Sequence, residues 1–151
     1  MHDFLGQTET WMVIPHEPPT STHQAALRVL KSRTGKMFVG KMKNSKIKGW
    51  MRTFEPWVAE SKPQHPMEGP VEVHIKFLYS PPKYLFKKIQ KCKTMPKTTK
   101  PDCDNAVKVI LDLFTTHGYW LDDSQVWSIT IEKYWSIEPS VQVLFKHTTQ
   151  Q

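Results

Sequence analysis

Residues 100–125 read KPDCDNAVKVILDLFTTHGYWLDDSQ, and the rest of the fold is built around this stretch. Between Asn105 and Thr116 nearly every residue is apolar, and only Lys108 and Asp112 clearly interrupt the run. Such a pattern predicts a helix that is covered on most sides. The stretch also contains five of the fourteen acidic residues, although the whole chain carries a formal net charge of +7. It therefore predicts a buried helix flanked by two acidic segments.

The sequence on both sides of this helix predicts strands. Apolar and polar residues alternate from Val71 to Phe77, which is typical of a half-buried strand. A hairpin is predicted around Gly35, with residues 37–39 as its second arm. The other predicted strands are residues 11–15, 126–135 and 141–145. These elements indicate one α+β domain over residues 1–151, with a mixed β-sheet and two main helices.

The second main helix is predicted from an apolar stripe at three- and four-residue spacing. Asn44 or Ser45 is a suitable N-cap, and Pro56 is expected to kink the helix or to end it near Glu55. The stripe contains aromatic residues that could stack on nucleic-acid bases, but at this spacing we expect them in the core. Its members are Ile47, Trp50, Met51, Phe54, Trp57 and Val58.

Composition limits the partners and the compartment. At 151 residues the chain can bury a core, and a pI near 9.4 suggests a polyanionic partner, nucleic acid before an anionic membrane. Such a charge can also serve solubility alone. Residues 1–10 contain acids and no apolar run, so no signal peptide is predicted, and no run reaches membrane-spanning length. We expect a cytoplasmic protein without a membrane partner, with Cys92 and Cys103 as free thiols.

Two aspartates mark the start of the central helix. Asp102 follows a proline and is expected to be extended, whereas Asp104 is expected at the N-cap or in the first turn. A lone aspartate at such a position is commonly only a cap. Together with Asp122 and Asp123, however, the pair would repel itself unless a cation bound, and no arginine lies nearby in the sequence. Carboxylate oxygens are ligands that Mg²⁺ prefers, so the pattern predicts a magnesium site for phosphodiester hydrolysis.

Lys108 lies one turn after Asp104. It could form an ion pair with that aspartate, or it could place its ammonium group beside a scissile phosphate. Asn105 and Gln125 are candidates for orienting ligands or water, and Asp112 is a candidate for positioning Lys108. The histidines and cysteines lack zinc-site spacing, and there is no glycine-rich phosphate loop. Neither a zinc nuclease nor a nucleotide cofactor is therefore predicted.

The motif Pro101-Asp102-x-Asp104-Asn105-x-x-Lys108-x-x-x-Asp112, followed by Asp122-Asp123-x-Gln125, closely resembles that of the RusA-type Holliday junction resolvases. These are small dimeric magnesium-dependent endonucleases of phages, prophages and bacteria. The opening strand, its proline turn and the following hairpin and helix also resemble the layout of this family. The turn departs from the basic or asparagine-containing versions of relatives, which leaves its role open.

The resemblance implies a role for each residue of the motif. It implies that Asp102, Asp104 and Asp123 are catalytic acids that bind Mg²⁺, for which Mn²⁺ is expected to substitute, and that Lys108 is the catalytic lysine. Asp122 matches a motif position with a less defined role. We group it with the other supporting residues, which are Asn105, Asp112 and Gln125.

Residues 83–100 carry seven lysines and no acid, with apolar residues between them. A charge run of this kind is commonly a solvated face, but here it leads directly into the acidic stretch. We therefore predict a mobile DNA-contacting segment that binds the phosphate backbone. The predicted contacts are Lys83, Lys87, Lys88, Lys91, Lys93, Lys97 and Lys100.

The predicted function is resolution of four-way DNA junctions by paired symmetric cuts, in the host cytoplasm if the protein is phage-encoded. The alternatives are a nuclease of the same family that selects flaps, forks or other branches, and a basic DNA-binding module without catalysis. Because a four-way junction has two-fold symmetry, a homodimer with two sites would match it. The apolar helix predicts that it, or its neighbours, contributes to the dimer interface. The candidates are Val109, Ile110, Leu113 and Phe114.

Overall fold

The secondary structure follows the predicted order, with one additional helix and one additional short strand. The computed structural model describes residues 6–20, 26–42 and 45–148. A short 3₁₀ turn, Asp123–Gln125, leads into the sixth strand. The strands and α-helices in chain order are β1 (Gln7–Ile14), β2 (Ala26–Lys31), β3 (Met37–Met42), α1 (Ser45–Glu60), β4 (Val71–Tyr79), α2 (Lys83–Cys92), β5 (Thr94–Pro96), α3 (Cys103–Thr116), β6 (Val126–Ser136) and β7 (Ser140–Thr148).

Five strands form one mixed sheet in the order β1-β7-β4-β6-β5. The central strand β4 is parallel to β6 and antiparallel to β7, and the other neighbouring pairs are antiparallel. Ile75 in β4 and Val143 in β7 belong to the same buried cluster as Val58 in α1 and Ile110 in α3. Since successive residues of a strand point to opposite faces, α1 and α3 cover one face of the sheet. The predicted α+β domain with a mixed sheet is confirmed.

The apolar helix α3 is covered by its own chain. Val109, Ile110, Leu113 and Phe114, which were the candidates for a dimer interface, are at most 2% exposed. The cover comes from the sheet and from α1, which packs beside α3. This corrects the expectation that a second subunit would cover part of α3, because one small sheet and a second helix are sufficient.

Gly118 ends α3 in a left-handed conformation, with φ of 72°. Its N–H donates to the carbonyl of Thr115, and the N–H of Tyr119 donates to the carbonyl of Phe114, a hydrogen-bond pattern common at glycine-terminated helices. The turn buries Tyr119 and Trp120 beside Phe114, with ring centroids 4.7 and 5.9 Å from that ring. The turn at Gly118 therefore keeps the chain near the C-terminal end of α3, and β6 begins from there.

The predicted core stripe of α1 is confirmed. Of the two effects expected of Pro56, a kink or an end near Glu55, the end is wrong. The helix continues through Pro56 to Glu60. A proline inside a helix removes one hydrogen bond and costs about 3 kcal/mol. Phe54 and Val58 lie on either side of Pro56 and are completely buried, so their packing outweighs that cost. Ser45 is the first helical residue, and the other suggested cap, Asn44, lies outside the described residues.

Residues 83–100 contain α2 and β5, neither of which was predicted. Pro82 precedes α2 with an extended backbone, which suits the start of a helix, and Ile89 anchors the helix because it is completely buried. The lysine-rich composition hid this element, since only a few of its residues face inward. Residues 83–100 therefore contain regular secondary structure and do not merely connect β4 to α3.

The remaining predictions concern the hairpin, the thiols and the membrane. β2 and β3 pair antiparallel around Gly35, whose φ is 83°, so the predicted hairpin is confirmed. Both cysteines are free. Within residues 6–20, 26–42 and 45–148, no helix is long and apolar enough to cross a membrane.

Candidate active site

Asp102 and Asp104 lie at the N-terminal end of α3, as predicted. Asp102 precedes the helix with an extended backbone (φ −69°, ψ 150°), and Asp104 lies in the first turn. Both residues are exposed. The positive end of the helix dipole stabilises negative charge at this position. Two carboxylates are therefore available to solvent at one end of α3.

Lys100 forms an ion pair with Asp102. Its Nζ atom lies 2.9 Å from Oδ2 of the aspartate, and both side chains are at least half exposed. Ion pairs this exposed contribute little to stability. The sequence predicted Lys100 only as a DNA contact, and only arginine was considered as a nearby partner for the acids. Because Lys100 lies two residues before Asp102, the sequence could have indicated this ion pair.

Lys108 is exposed one turn beyond Asp104. Among the described residues, the two side chains do not form the ion pair that was one of the two predicted possibilities. Asn105 is half-buried in the same turn as Asp104, and Asp112 is exposed one turn beyond Lys108. The ammonium group of Lys108 is thus not held by Asp104 and is available to a ligand at this end of the helix.

The second acidic segment is a tight turn before β6. Oδ1 of Asp122 accepts a hydrogen bond of 2.8 Å from the backbone N–H of Ser124, which holds the pKa of Asp122 below its usual range. Oε1 of Gln125 accepts from the N–H groups of Leu121 and Asp122, at 2.9 and 3.0 Å. Asp122 therefore helps to build the turn, whereas the exposed Asp123 is its first 3₁₀ residue.

The two acidic segments lie at opposite ends of α3. At one end, the carbonyl of Pro101 accepts a hydrogen bond from Nζ of Lys133, near the C-terminal end of β6. At the other end, Nε2 of Gln125 donates to the carbonyls of Met67 and Gly69, which precede the start of β4. Because α3 has 14 residues, its ends are about 20 Å apart.

Within one chain, Asp123 is therefore not brought to Asp102 and Asp104. The oxygens that bind one Mg²⁺ each lie about 2 Å from the ion, so they must be close to one another. In the described part of the chain, no three His, Cys, Asp or Glu residues are grouped so that they could hold a metal ion. The carboxylates at each end have the chemistry that suits a hard cation. A single chain offers them in two separate pairs.

Large apolar side chains are exposed next to the second acidic segment. Leu121 is 76% exposed, Trp127 is 69% exposed and Ile129 is 41% exposed. They flank the turn that carries Asp123. Exposed apolar patches commonly mark interaction sites. The sequence predicted a strand here and an interface at the central helix or its neighbours. It did not show which side chains are exposed, because exposure depends on what the rest of the chain leaves uncovered.

Most of the lysines that were predicted to contact DNA are exposed. Lys83, Lys87 and Lys91 follow one another at four-residue spacing in α2, so they lie on one side of the helix. Ile89, the buried residue of α2, lies on the other side. The exposed members of the predicted set are Lys83, Lys87, Lys88, Lys91, Lys93 and Lys100.

The prediction that Lys97 contacts DNA is wrong, because this residue is only 7% exposed. Its Nζ atom lies 4.3 Å from the ring centre of Trp135 and 5.2 Å from that of Tyr79. Burial lowers the pKa of Lys97, and the nearby charge of Lys133 lowers it further. An ammonium group enclosed in this way is not available to a phosphate. Within a run of seven lysines, nothing in the sequence distinguished this one.

Comparison with known proteins assigns the class and the family. Residues 17–145 match the family described as Endodeoxyribonuclease RusA, a match that covers most of the chain and both acidic segments. The protein is therefore an enzyme that hydrolyses DNA, an endodeoxyribonuclease. It belongs to the RusA family, which confirms the resemblance seen in residues 100–125. It is also 34% identical to the uncharacterized protein YqaN of Bacillus subtilis (strain 168) over 105 residues, which are 64% of this chain and 73% of that protein.

Proposed function

We propose that this protein is a magnesium-dependent endonuclease that resolves four-way DNA junctions by paired symmetric cuts. The main support is the exposed group of Asp102, Asp104 and Lys108 at the N-terminal end of α3, in a basic chain of the RusA family. Carboxylates that suit a divalent cation and a lysine that suits a phosphate are thus close together along one helix.

Asp102, Asp104 and Asp123 are the residues that would hold the metal ion, with Mn²⁺ as a substitute for Mg²⁺. When bound, such an ion acts as a Lewis acid that lowers the pKa of water and neutralises charge on the phosphate. The donor chemistry of the three residues supports this role, because ionised carboxylates are among the usual ligands of Mg²⁺.

The neighbouring residues have supporting roles. Lys108 stabilises the negative charge that develops on the scissile phosphate, and the lack of an ion pair with Asp104 leaves it available for this. Asp112, one turn further along α3, positions Lys108. Asn105 orients a ligand or water, and Gln125 fixes the turn that carries Asp123 through its hydrogen bonds to Met67 and Gly69.

A homodimer accounts for the two separate acidic segments, because a segment of one subunit can meet the other segment of the partner subunit. We propose that each metal site takes Asp102 and Asp104 from one subunit and Asp123 from the other. A two-fold axis then generates two identical sites, which suits a junction with two-fold symmetry. Because α3 is buried, we propose that the interface forms instead at the exposed Leu121, Trp127 and Ile129, next to Asp123.

The DNA arms are held by the exposed lysines of α2. This helix directly follows β4, and β5 then pairs with the C-terminal end of β6, where Lys133 reaches Pro101. The lysines therefore lie toward the end of the sheet that carries Asp102 and Asp104. Contacts between lysines and phosphates bind duplex DNA without regard to sequence.

The direct test is cleavage of a labelled four-way junction with and without magnesium. We expect paired cuts by the wild type only when the metal is present. Asp104→Asn should cut more than about 100-fold more slowly, because even residues that only support metal ligands change activity by 10- to 100-fold. Junction binding should survive or tighten, since one negative charge near the phosphates is removed. Glu138→Gln, in the turn between β6 and β7, removes the same charge elsewhere and should cut normally.

Three results would change the proposal. Full cleavage by Asp104→Asn at saturating magnesium would remove the metal-site assignment. Faster cleavage of flaps or forks than of four-way junctions would favour the alternative branch-selective nuclease. Salt-dependent DNA binding without cleavage in Mg²⁺ or Mn²⁺ would favour the non-catalytic binding module, and would contradict the activity of the family.

A further inference from the structure

Lys97 and Lys133 lie opposite each other at the edge of the sheet. β5 pairs with β6 so that Met95 is opposite Trp135, and the N–H of Lys97 donates to the carbonyl of Lys133 at 2.9 Å. Both side chains therefore point to the same face as Trp135. Two like charges directly opposite each other in a sheet are destabilising. Their presence here requires groups that separate and satisfy the two ammonium groups.

Those groups are the backbone carbonyls of the segment that leads into Asp102. Nζ of Lys133 donates to the carbonyls of Thr99 and Pro101, at 2.7 and 2.6 Å. Nζ of Lys97 donates to the carbonyls of Thr99 and Lys100, and also to the hydroxyl of Thr99. The carbonyl of Thr99 thus accepts from both lysines. Three consecutive carbonyls are fixed by two cations, immediately before Asp102.

The burial of Lys97 indicates that its positive charge has a specific role in the protein. Among the described residues, no carboxylate lies within ion-pair distance of its Nζ atom. Its direct partners are carbonyls, a hydroxyl and aromatic faces, and the more distant carboxylate of Glu17 also stabilises its charge. Burying a charge without an opposite charge in direct contact is costly. A methionine would fill the same space without that cost. Packing alone therefore does not explain an ammonium group at this position.

We infer that Lys97 and Lys133 are positioning residues that fix the segment Thr99–Pro101 and thereby place Asp102 and Asp104 for catalysis. This role rests on the function proposed above. Neither lysine touches the substrate, because Lys97 is buried and the Nζ atom of Lys133 is occupied by two carbonyls. Replacing either lysine should therefore impair cleavage and metal binding but leave DNA binding unchanged.

The test compares Lys133→Met with Lys146→Met, a control lysine in β7 that is also half-buried and whose nearest acid is Glu9, at 3.8 Å. For Lys133→Met we expect single-turnover cleavage to fall by about 10-fold or more, with a higher midpoint in a magnesium titration. The junction Kd should match that of the control. Lys133→Arg should restore most of the rate, since a guanidinium group can still donate to both carbonyls.

Hydrogen exchange provides a readout that does not depend on cleavage. Peptides covering residues 98–106 should exchange faster in Lys133→Met than in Lys146→Met, while peptides from β4 should be unchanged. If Lys133→Met does not fold, as judged by circular dichroism, Lys97→Met carries the same test, because methionine suits its apolar surroundings.

The outcomes separate this inference from the proposed function. Unchanged exchange in residues 98–106 would overturn the positioning role, whatever the cleavage rates. Faster exchange with a normal cleavage rate would also overturn it, because the segment would then be held without consequence for catalysis. A parallel loss of binding and cleavage would indicate a general structural role and overturn it as well. A wild-type protein that cuts no junction would overturn the proposed function, and with it the catalytic consequence of the two lysines.

Discussion

The two ends of α3 both carry acidic residues, but their surroundings differ. At the N-terminal end, Asp102 lies among cations: Lys100 pairs with it directly, and Lys97 and Lys133 fix the preceding backbone. At the C-terminal end, the turn of Asp122 and Asp123 is held by hydrogen bonds, those of the Gln125 side-chain amide and the one that Asp122 accepts from the N–H of Ser124.

The surfaces next to the two ends differ in the same way. The exposed lysines of α2 lie toward the N-terminal end of α3, whereas Leu121 and Trp127 are exposed near the C-terminal end. A cationic surface suits DNA, and an apolar surface suits a protein partner. A motif that is continuous in sequence is thus divided in space between an end beside exposed lysines and an end beside exposed apolar side chains. In the proposed dimer we expect the first to be the DNA-facing end and the second to be the partner-facing end.

A mixed dimer tests most directly how the two ends of α3 cooperate. Asp104→Asn and Asp123→Asn should each be inactive alone. When the two variants are co-expressed with different tags and purified as a mixed dimer, a composite site predicts that one site keeps all its acids while the other loses two. We therefore expect single-strand nicks in a four-way junction, without paired cuts, measured on a denaturing gel.

The same experiment has a clear contrary outcome. If each site were built within one chain, every site in the mixed dimer would lack one acid, and no cleavage above that of the separate variants would appear. The control is a mixed dimer of the wild type with Asp104→Asn, which should nick under either arrangement.

The partner-facing end is tested by Trp127→Glu. This substitution places a charge in the proposed interface, and truncating a central interface residue typically costs about 2 kcal/mol or more. We expect light scattering to give a monomer mass at micromolar concentration, with loss of paired cuts and an unchanged circular dichroism spectrum. Trp11→Glu is the matched control, since Trp11 is 65% exposed in β1. A monomeric Trp11→Glu beside a dimeric Trp127→Glu would move the interface to β1.

The DNA-facing end is tested by the salt dependence of binding. Changing Lys87, Lys88 and Lys91 to Gln should lower the slope of log K against log salt by about 0.9 for each phosphate that the protein no longer neutralises. The control changes Lys62, Lys76 and Lys146 to Gln, which gives the same net charge. Lys62 lies beside Gly118, and the other two are on the sheet face away from α1 and α3. An equal decrease of the slope in both variants would mean that net charge, and not α2, determines binding.

Residues 100–125 illustrate what could be predicted from the sequence. The apolar run of α3 and the placement of Asp102 before it follow from local rules of helix pattern and capping, so both were found. The distance of Asp123 from Asp102 was not found, because it depends on how Gly118 and the buried Tyr119 direct the chain after the helix. The family motif indicated candidate residues for the site but not their separation in space.

Two further predictions were wrong for the same physical reason, which is tertiary packing. An end of α1 near Glu55 was predicted from the local geometry of Pro56, as an alternative to a kink, and the burial of Phe54 and Val58 overrode it. Lys97 looked like any other member of a lysine run, and its contact with Trp135 joins positions far apart in the sequence. Patterns within a short window predict elements well, but they do not show which face of an element is covered.

The two adjacent acids of the C-terminal turn are expected to differ in their contribution to cleavage. Asp122→Asn should keep the turn, because asparagine caps about as well as aspartate and can still accept the hydrogen bond from Ser124. Cleavage should therefore stay near the wild-type rate, whereas Asp123→Asn should abolish it. Loss of activity in Asp122→Asn, with normal activity in Asp123→Asn, would exchange the two roles.

The depressed pKa of Asp122 adds a dependence on pH. Because the folded pKa is lower than the unfolded value of about 3.9, the stabilisation is present above that value and is lost as the pH falls through the folded pKa. Asp122→Asn has no carboxylate to titrate at this position. In the wild type, the amide of Ser124 should therefore lose protection as the solution is acidified, and in the variant its protection should not change with the titration of residue 122. Nuclear magnetic resonance of the Ser124 amide in both proteins measures this difference, and parallel pH profiles would show that Asp122 does not stabilise the turn through its charge.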